Sequence, residues 1–410
     1  MDAELKIFFR LEAVGISPVR LESKEDRRAR EILERTTRRL GDRFETGLLW
    51  KEDDQCFPPS YSMAMKRLRN LEIRMDRYPG VREILQKQLN EYIEKGYAHL
   101  VSESELQNTP LEKTWYLPLN FVVNKKKPGK IRLVWDAAAK ANGVSLNDKL
   151  LKGSDMIASL STVINNFRQR EVGFGGYIRG MFHQIQVRTE DRQAQRFLFR
   201  SDPKDEPQIY VMDVVIFGAN CSPCSSQFVK NLNAIQHAEE YPEASTAIIN
   251  KHYVDDYLDS VDSEKEAIQR ALEVARVHAK GGFEIRNWFS NSPEVVRQLG
   301  ESHSKSSLTL DTDKSVETAR VLGIMWNSKE DVFMFSTDLR EDLQPYMRDG
   351  VWPTKRIALR CIMSMFDPKQ FLAPLLIHGR ILMQDLWRSG IGWDDKLKDE
   401  HYERWLKWTR

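Results

Sequence analysis

Two adjacent carboxylates, Asp255 and Asp256, are the residues of this sequence whose types and spacing best suit chemistry. They end the tetrapeptide Tyr253-Val254-Asp255-Asp256 inside an apolar run from Ile248 to Val261, which predicts two strands joined by a tight turn. Side chains alternate faces along a strand, so both acids can reach one cluster only where a turn interrupts the alternation. Such a pair can hold a divalent metal for nucleotidyl transfer, whereas the tetrapeptide taken alone is equally compatible with a solvated acidic turn.

A glycine turn upstream is the second feature. Phe217 and Gly218 begin it, and a helix is predicted to start near Pro223, with Gln227 in its first turns. This order of turn and helix suits a surface that lies beneath a base pair.

A basic hairpin is the third feature. Between residues 125 and 136, a lysine-rich Pro-Gly turn separates two short predicted strands. Lys130 offers a point charge and Arg132 a planar fork to phosphate oxygens, so together they suit a triphosphate. From Phe121 to Asp155 the chain has eight basic and three acidic residues, although its net charge is only +2. An isolated cluster of this kind is commonly a solvated loop, but the neighbouring motifs favour binding.

Helices and mixed segments must position these motifs. The chain is predicted to be polar and mostly helical to about Leu100, including an amphipathic helix over 81–97. Its buried face would comprise Ile84, Leu85, Leu89, Tyr92 and Ile93. Strands and helices then mix to about Trp326, with one helix opened by a capping box at Ser263 and closed by Gly281. Helices return after Asn327, one of them starting at Thr354 and ending at Asp367-Pro368.

In their order and spacing, the three motifs match those of reverse transcriptases, and the chain resembles the reverse transcriptase region of BEL/Pao-type LTR retrotransposons, as a fragment of a Pao retrotransposon polyprotein. The resemblance covers nearly the whole chain. It is also carried by Gly143-Val144-Ser145-Leu146-Asn147, Leu150-Leu151-Lys152-Gly153, Met181-Phe182-His183-Gln184-Ile185, Gln195-Arg196-Phe197-Leu198, Cys221-Ser222-Pro223-Cys224-Ser225, Gly281-Gly282-Phe283-Glu284-Ile285-Arg286-Asn287, Leu322-Gly323-Ile324-Met325-Trp326 and Trp387-Arg388-Ser389-Gly390-Ile391-Gly392-Trp393.

The resemblance implies an α+β right-hand polymerase fold of fingers, palm and thumb, with a mixed antiparallel palm sheet and helical N- and C-terminal parts. Residues 1–100 would lead into the fingers, 101–326 would form fingers and palm, and 327–410 a thumb or connection-like helical segment. The implied activity is RNA-directed DNA polymerisation with two Mg²⁺ ions at Asp255 and Asp256. The implied partners are an RNA or DNA template with its primer, deoxynucleoside triphosphates and other products of the retrotransposon polyprotein.

The resemblance also implies roles for residues outside the acidic pair. Nucleotide-binding roles fall on Lys130, Arg132, Phe182, Phe217, Gly218 and Gln227. Leu322, Gly323 and Ile324 would form the hairpin that steadies the primer end. Phe182 would exclude a 2′-hydroxyl, although a phenylalanine on an apolar strand is also a common core residue.

One position departs from the family pattern. The strand before Met181-Phe182 would carry the first catalytic aspartate, and Tyr177 stands there instead. The nearest acids are Glu171, six residues upstream, and Glu190, beyond the end of the strand, and a shift of register cannot bring either into place. A phenol, with a pKa of about 10, is neutral at pH 7, so the change removes a charge and a metal-bridging ligand together.

Two functional hypotheses follow from Tyr177. The chain is either a reverse transcriptase domain whose catalysis is impaired, or a non-catalytic nucleic-acid-binding relic of a retrotransposon. Loss of one preorganised electrostatic group typically lowers a rate by about 10²–10³, and loss of a bridging ligand should cost at least as much.

Composition predicts an intracellular, cytoplasmic protein that does not enter a membrane. The chain has 410 residues, is 41% hydrophobic and has no apolar run near the roughly 18 residues of a membrane helix. Its start has no secretory pattern, and its four cysteines suggest free thiols. Cys221 and Cys224 could hold zinc only with two further ligands, and His183 and His252 are more typical of strand histidines than of catalytic bases. No protease, RNase H or integrase motif is visible.

Overall fold

The protein is an α+β protein, and its computed structural model describes residues 22–123, 131–302, 318–335, 340–365 and 367–409. Its helices are α1 (Lys24–Thr36), α2 (Tyr61–Met75), α3 (Val81–Glu94), α4 (Glu103–Asn108), α5 (Leu146–Lys149), α6 (Leu160–Phe167), α7 (Thr189–Arg192), α8 (Ser222–Gln236), α9 (Pro242–Asn250), α10 (Glu264–Lys280), α11 (Pro293–Ser302), α12 (Gln344–Arg348), α13 (Lys355–Ile362), α14 (Ala373–Arg388) and α15 (Asp399–Thr409).

The strands are β1 (Arg38–Leu40), β2 (Arg43–Thr46), β3 (Ala98–Leu100), β4 (Tyr116–Leu117), β5 (Leu119–Val123), β6 (Ile131–Trp135), β7 (Val172–Ile178), β8 (Ile185–Val187), β9 (Arg196–Phe199), β10 (Gln208–Met212), β11 (His252–Tyr253), β12 (Asp256–Val261), β13 (Ile285–Ser290), β14 (Thr318–Val321), β15 (Ile324–Asn327) and β16 (Val332–Met334).

The chain forms two compact units, each built from separate stretches of sequence. The first unit comprises the described residues of Met1–Ile157, Ile178–Ile249 and Ala275–Ile285. The second comprises those of Ala158–Tyr177, Asn250–Val274 and Arg286–Arg410. The domain boundaries predicted near residues 100 and 326 stay predictions.

The first unit contains two small sheets and a hairpin. The strand orders are β1-β2-β8 and β3-β10-β9-β4, and β5 pairs with β6 in the hairpin. β2 runs parallel to β8 and β4 parallel to β9, whereas the other pairs are antiparallel. The two strands predicted around the basic turn are thus confirmed as β5 and β6. The turn itself, with Lys130, lies outside the described residues.

The second unit contains the three-stranded sheet β14-β15-β16 and a four-stranded sheet that carries the acidic pair. Its order is β11-β12-β7-β13, and β12 is antiparallel to both β11 and β7. Helix α6 packs on β12, burying Phe167 against Leu258 and Trp326. A Cβ atom on Gly175 of β7 would lie 2.6 Å from the Tyr257 carbonyl oxygen, so only glycine lets β12 approach β7 here.

The C-terminal helices α13, α14 and α15 share a core around Trp405, which contacts solvent with none of its surface. The predicted start of α13 is confirmed, because the Thr354 hydroxyl accepts a hydrogen bond of 3.3 Å from the Ile357 amide. The helix ends at Ile362, earlier than predicted. Among the described residues, none of the helices combines the length and apolar character needed to cross a membrane.

Two further local predictions need correction. Ile93 was assigned to the buried face of α3, but it is 39% exposed, while Leu85 and Leu89 are buried as expected. Ile248 was assigned to a strand, but it lies in α9, so the strand before the acidic pair is only β11. For Ile248, the short apolar run is compatible with helix and strand, and tertiary packing decides between them.

A histidine between two carboxylates ties β3 to its surroundings in the first unit. His99 Nδ1 lies 2.7 Å from Asp213 Oδ2, and its Nε2 lies 3.1 Å from Glu105 Oε1. The Asp213 hydrogen bond raises the pKa of His99, with Glu105 adding to it. Burial alone would raise the pKa of Glu105, but hydrogen bonds from Ser102 and His99 lower it to about 2.

This cluster predicts a pH-dependent contribution to stability. A raised histidine pKa in the folded state means that the contribution is complete below about pH 6.5 and is lost as pH rises through the folded pKa. The His99→Gln variant should therefore lose more stability at pH 5.5 than at pH 8.5, which urea unfolding at both values measures. Because His99 is partly exposed, solvent screening keeps the difference small. An equal loss at both pH values would contradict the ion pair.

Candidate active site

The acidic pair sits on a two-residue hairpin turn. Tyr253 pairs with Asp256 across β11 and β12, so Val254 and Asp255 form the turn between them. Val254 has φ 58°, a left-handed conformation that is unfavourable for a β-branched residue. Backbone strain of this kind costs about 1–3 kcal/mol and is characteristic of functional turns. As predicted, the turn interrupts the alternation of side chains along the strands. The side chains of Asp255 and Asp256 are therefore not forced to opposite faces of the sheet.

Tyr177 lies directly opposite the acidic pair. In the antiparallel pairing of β7 with β12, Tyr177 is the partner of Asp256, and the register continues without a bulge to Val172 and Val261. Directly paired residues have Cα atoms about 4.5–5.5 Å apart and project side chains to the same face. An aspartate at position 177 would therefore project to the same face of the sheet as Asp256.

The surroundings of Asp256 disfavour its negative charge. Burial raises the pKa of Asp256 to about 6, and the neighbouring negative charge of Asp255 adds to the increase. A cation at the turn would oppose both effects, because it stabilises the ionised form. The pair is thus an electrostatically unfavourable arrangement that a metal ion would relieve.

Tyr177 is held by two residues of β13. The Asn287 side-chain amide donates a hydrogen bond of 2.9 Å to the Tyr177 hydroxyl. The Arg286 guanidinium lies over the Tyr177 ring, 5.6 Å from its centroid. Asn287 adopts φ 54°, a conformation that asparagine tolerates better than most residues. The tyrosine is therefore fixed to β13 by a hydrogen bond and has a positive charge near its ring.

The side chains do not fit a two-metal centre. Within the described parts of the chain, no group of three or more His, Cys, Asp or Glu residues could hold a metal ion. Asp255 and Asp256 provide carboxylates at the turn, but the third position is a neutral phenol. A bridging ligand between two ions about 3.5–4 Å apart is missing.

A buried charge network behind the hairpin was not predicted from the sequence. Asp259 is completely buried and accepts hydrogen bonds from Lys251 and, at 2.8 Å, from the Tyr257 hydroxyl. Arg270 of α10 lies 3.6 Å from the same carboxylate. The network connects the start of β11, the middle of β12 and α10. The available signal was a polar pair, Tyr257 and Asp259, on the same face of an apolar strand.

In the first unit, the turn that was predicted to lie beneath a base pair is held in place by close packing and two hydrogen bonds. Gly218 has φ 106°, and a Cβ atom there would lie 2.6 Å from the Trp135 carbonyl oxygen. The Asn147 amide donates to the Gly218 carbonyl at 3.0 Å, and its Oδ1 accepts from the Asn220 amide at 2.9 Å. Asn147 was not assigned a role from the sequence. It holds the turn that presents Phe217, which is 44% exposed.

The other predicted nucleotide-binding residues of this unit differ in exposure. Arg132 is exposed on β6. Phe182 belongs to a 3₁₀ turn, Met181–Gln184, rather than to a strand, and its ring centroid lies 4.7 Å from that of Phe217. Gln227 is buried in α8. The roles of all three in nucleotide binding stay predictions.

The predicted primer-end hairpin is present in the second unit. Leu322 and Gly323, with φ 49° and 90°, form the turn between β14 and β15, and Ile324 begins β15. Positive φ at both turn residues is the pattern of a tight hairpin turn. Their role toward a primer stays a prediction.

The remaining candidates behave as core residues. Cys221 and Cys224 are buried free thiols, and burial raises their pKa to about 12 and about 11. His183 lies in the 3₁₀ turn rather than in a strand, and burial lowers its pKa to about 4. A thiol and an imidazole that stay neutral at pH 7 support packing rather than catalysis.

Comparison with protein families identifies the C-terminal segment. Residues 354–410 match the model of the Pao retrotransposon-like RNaseH-like domain. This confirms the resemblance to Pao-type retrotransposons predicted from the sequence. An RNaseH-like relationship of this segment was not indicated by the motifs. The matched residues contain α13, α14 and α15. No curated protein matches the chain.

Comparison with solved structures relates the chain to a foamy viral protease-reverse transcriptase. Its complex with dsDNA aligns with TM-score 0.51 and 11% identity, covering 96% of this chain and 68% of that one. Its dRH form with ds DNA aligns with TM-score 0.49 and 12% identity, covering 79% of this chain and 46% of that one. Its complex with RNA/DNA hybrid aligns with TM-score 0.48 and 11% identity, covering 95% of this chain and 44% of that one. The chain thus spans less than half the length of the last two, and the first likeness concerns the fold alone.

Proposed function

We propose that this chain is a retrotransposon reverse transcriptase domain with impaired catalysis, because residues 354–410 match the model of the Pao retrotransposon-like RNaseH-like domain and the fold is similar to that of a foamy viral protease-reverse transcriptase. The single observation that carries this proposal is the pairing of Tyr177 with Asp256 in adjacent strands. The fold is compatible with that of a polymerase. Tyrosine at position 177 leaves one negative charge fewer beside Asp256 than an aspartate would. Fingers, palm and thumb are the proposed names of its parts.

The residues of the site have the following proposed roles. In a complete centre Asp255 and Asp256 would be metal ligands, and Tyr177 occupies the place of a third. Arg132 and Lys130 would contact the triphosphate, Phe182 the sugar, and Phe217 with Gly218 the nascent base pair. In a complete centre, two Mg²⁺ ions would neutralise charge on the transferred phosphate. The side chains present here do not fit that pair of ions, so we assign them no step through it.

Nucleic acid is the proposed macromolecular partner. The foamy viral protease-reverse transcriptase with a similar fold is described in complex with dsDNA, and phosphate-backbone contacts do not depend on one carboxylate. Deoxynucleoside triphosphates, other products of the same polyprotein and a cytoplasmic location are further parts of the proposal.

A second candidate function is nucleic-acid binding without any catalysis. The observation that favours it is the fixed position of Tyr177, whose hydroxyl and ring both have partners on β13. A tyrosine without a role at this position would need neither the hydrogen bond to its hydroxyl nor the contact with its ring.

The proposal is tested by measuring binding and primer extension on the same protein. We expect the chain to bind a primer–template duplex, with an affinity that falls steeply between 50 and 200 mM salt because lysine and arginine neutralise phosphates (~10³-fold for six contacts). With Mg²⁺ and deoxynucleotides, extension should be weak or undetectable. Fluorescence anisotropy and gel analysis of a labelled primer report the two results. Absence of binding would contradict both candidate functions, and strong extension would contradict impaired catalysis.

A further inference from the structure

An ion pair ties the end of α6 to the loop between β15 and β16 in the second unit. Arg168 is the residue that follows α6, and its guanidinium pairs with the carboxylate of Asp331. Arg168 Nη2 also donates a hydrogen bond of 2.9 Å to the Asp331 carbonyl oxygen. The planar fork of arginine permits both contacts with one residue, whereas a lysine would act as a point charge. Arg168 therefore holds the main chain of this loop as well as its side chain.

Asp331 connects this contact to the centre of the sheet β14-β15-β16. It is the last residue of the loop and has φ 56°, a left-handed conformation that aspartate tolerates better than most residues. Its Oδ1 accepts a hydrogen bond of 3.0 Å from the Trp326 indole nitrogen. Trp326 is fully buried on the middle strand β15, where it pairs with Ala319 and Phe333. One carboxylate thus links the end of α6 to the middle of the sheet.

The same sheet carries the turn that was predicted to steady a primer end. Leu322 of that turn and Tyr253 of the acidic hairpin both pack against one core, which contains Phe167 and Trp326. The Phe167 and Trp326 rings meet edge to face, with their centroids 4.8 Å apart. Apolar contacts are not directional, so a sheet held by this core alone would be able to rotate about Trp326.

A second fixed point removes that rotation. Gly323 lies three residues from Trp326 along the strand, which is about 10 Å, so a rotation of about 10° would move the turn by about 2 Å. The ion pair of Arg168 with Asp331 lies at the opposite end of β15 and therefore sets the angle of the sheet. The Arg168 and Asp331 side chains are 27% and 36% exposed, so their ion pair contributes little to overall stability. Its principal effect is on direction.

We infer that Arg168 is a positioning residue, which acts through Asp331 to fix the turn of Leu322 and Gly323 relative to the acidic turn, and thereby the place of a bound primer end. This role requires no contact between Arg168 and the nucleic acid. The inference rests on the proposed function in that a primer end must be bound. It does not require catalysis, so it applies to the protein with Tyr177 in place.

The test follows the primer end with 2-aminopurine, a fluorescent base whose emission depends on how it stacks, at the 3′ end of a primer–template duplex. EDTA is present throughout, so no extension takes place. Arg168→Met keeps most of the length of the side chain without its charge. It should reduce the wild-type change in emission at saturating protein by about half or more, because a shift of the turn misplaces the primer end. The duplex Kd, measured by fluorescence anisotropy, should stay within about two-fold, since no phosphate contact is lost.

Arg170→Met is the matched control. Arg170 lies two residues further along the same segment, and it pairs with Asp262 through side chains that are 54% and 65% exposed. This variant loses the same charge without touching the loop between β15 and β16. Both its emission and its duplex Kd should therefore match those of the wild type.

Asp331→Asn removes the charge from the other side of the ion pair. It keeps an oxygen acceptor for the Trp326 indole, and asparagine tolerates a positive φ, so only the ion pair is lost. It should reproduce the effect of Arg168→Met, and the double variant should be no worse than either single variant, as expected for two residues that act together.

Several results would overturn the inference. They are unchanged emission in both single variants, losses that add in the double variant, and an equal loss in Arg170→Met. Weaker duplex binding by Arg168→Met would also overturn it, since Arg168 would then contact the duplex directly. Absence of duplex binding by the wild type would overturn the proposed function and this inference together, whereas normal binding without any effect of Arg168→Met or Asp331→Asn would overturn the inference alone.

Discussion

Primer extension should rise by about 10² or more when Tyr177 is changed to Asp, which corresponds to about 3 kcal/mol of activation free energy. Residue 177 already faces Asp256 across the sheet, so an aspartate there needs no change of register to join the acidic pair. The substitution loses the Asn287 hydrogen bond and the Arg286 contact with the ring. It restores the charge that would bridge two metal ions.

Two matched variants separate charge from shape in this experiment. Tyr177→Asn removes the ring as Tyr177→Asp does, but it supplies no negative charge, so it should not restore extension. Adding Asp255→Asn to Tyr177→Asp should abolish the gain, since an amide keeps the shape of the ligand without its charge. Equal rates for the Asp and Asn variants at 177 would show that the ring, and not the missing carboxylate, limits catalysis. Failure of both to act would contradict the proposal that residue 177 limits catalysis.

Removal of the Asp259 carboxylate should cost about 3–5 kcal/mol of unfolding free energy, the range for breaking a buried ion pair. Asp259 is fully buried, and Asp259→Ala leaves Lys251 and Arg270 without the carboxylate that both contact. The Tyr257 hydroxyl loses its acceptor as well. Urea unfolding monitored by tryptophan fluorescence measures the loss.

The control for this variant is a nearby exposed ion pair. Asp262 lies next to the end of β12 and pairs with Arg170, with 65% and 54% of their side-chain surfaces exposed. Asp262→Ala makes the same chemical change, yet it should cost no more than about 1 kcal/mol. A similar loss in both variants would mean that the Asp259 network contributes no more than a surface ion pair does.

Much of the local structure could be predicted because it depends on neighbours in sequence. The hairpin at Asp255 and the helix start at Thr354 follow from alternation and capping, which are local rules. The opposition of Tyr177 and Asp256 was also predictable, but only through the resemblance to a family whose strand order is known. No pattern in the sequence itself pairs residues that are 79 positions apart.

The features that sequence reasoning missed depend on contacts between distant elements. Asp259 is an acid in the middle of an otherwise mostly apolar strand, and its burial becomes acceptable only when Lys251 and Arg270 arrive from other elements. Asn147 likewise has no pattern of its own, but it clamps the turn at Gly218 through two hydrogen bonds. Ile93 fits the apolar periodicity of α3 and is nevertheless 39% exposed, because periodicity shows which residues share a helix face but not how far other elements cover that face.

The measurement that tests the account most directly is the number of Mn²⁺ ions bound by the wild-type protein and by Tyr177→Asp, determined by electron paramagnetic resonance in the presence of a chain-terminated primer–template and the next nucleotide. Mn²⁺ replaces Mg²⁺ at oxygen ligands. The account predicts that the protein-dependent second ion is absent from the wild type and present in Tyr177→Asp. Two tightly bound ions in the wild type, lost in Asp255→Asn, would show that another group completes the site and would contradict the account.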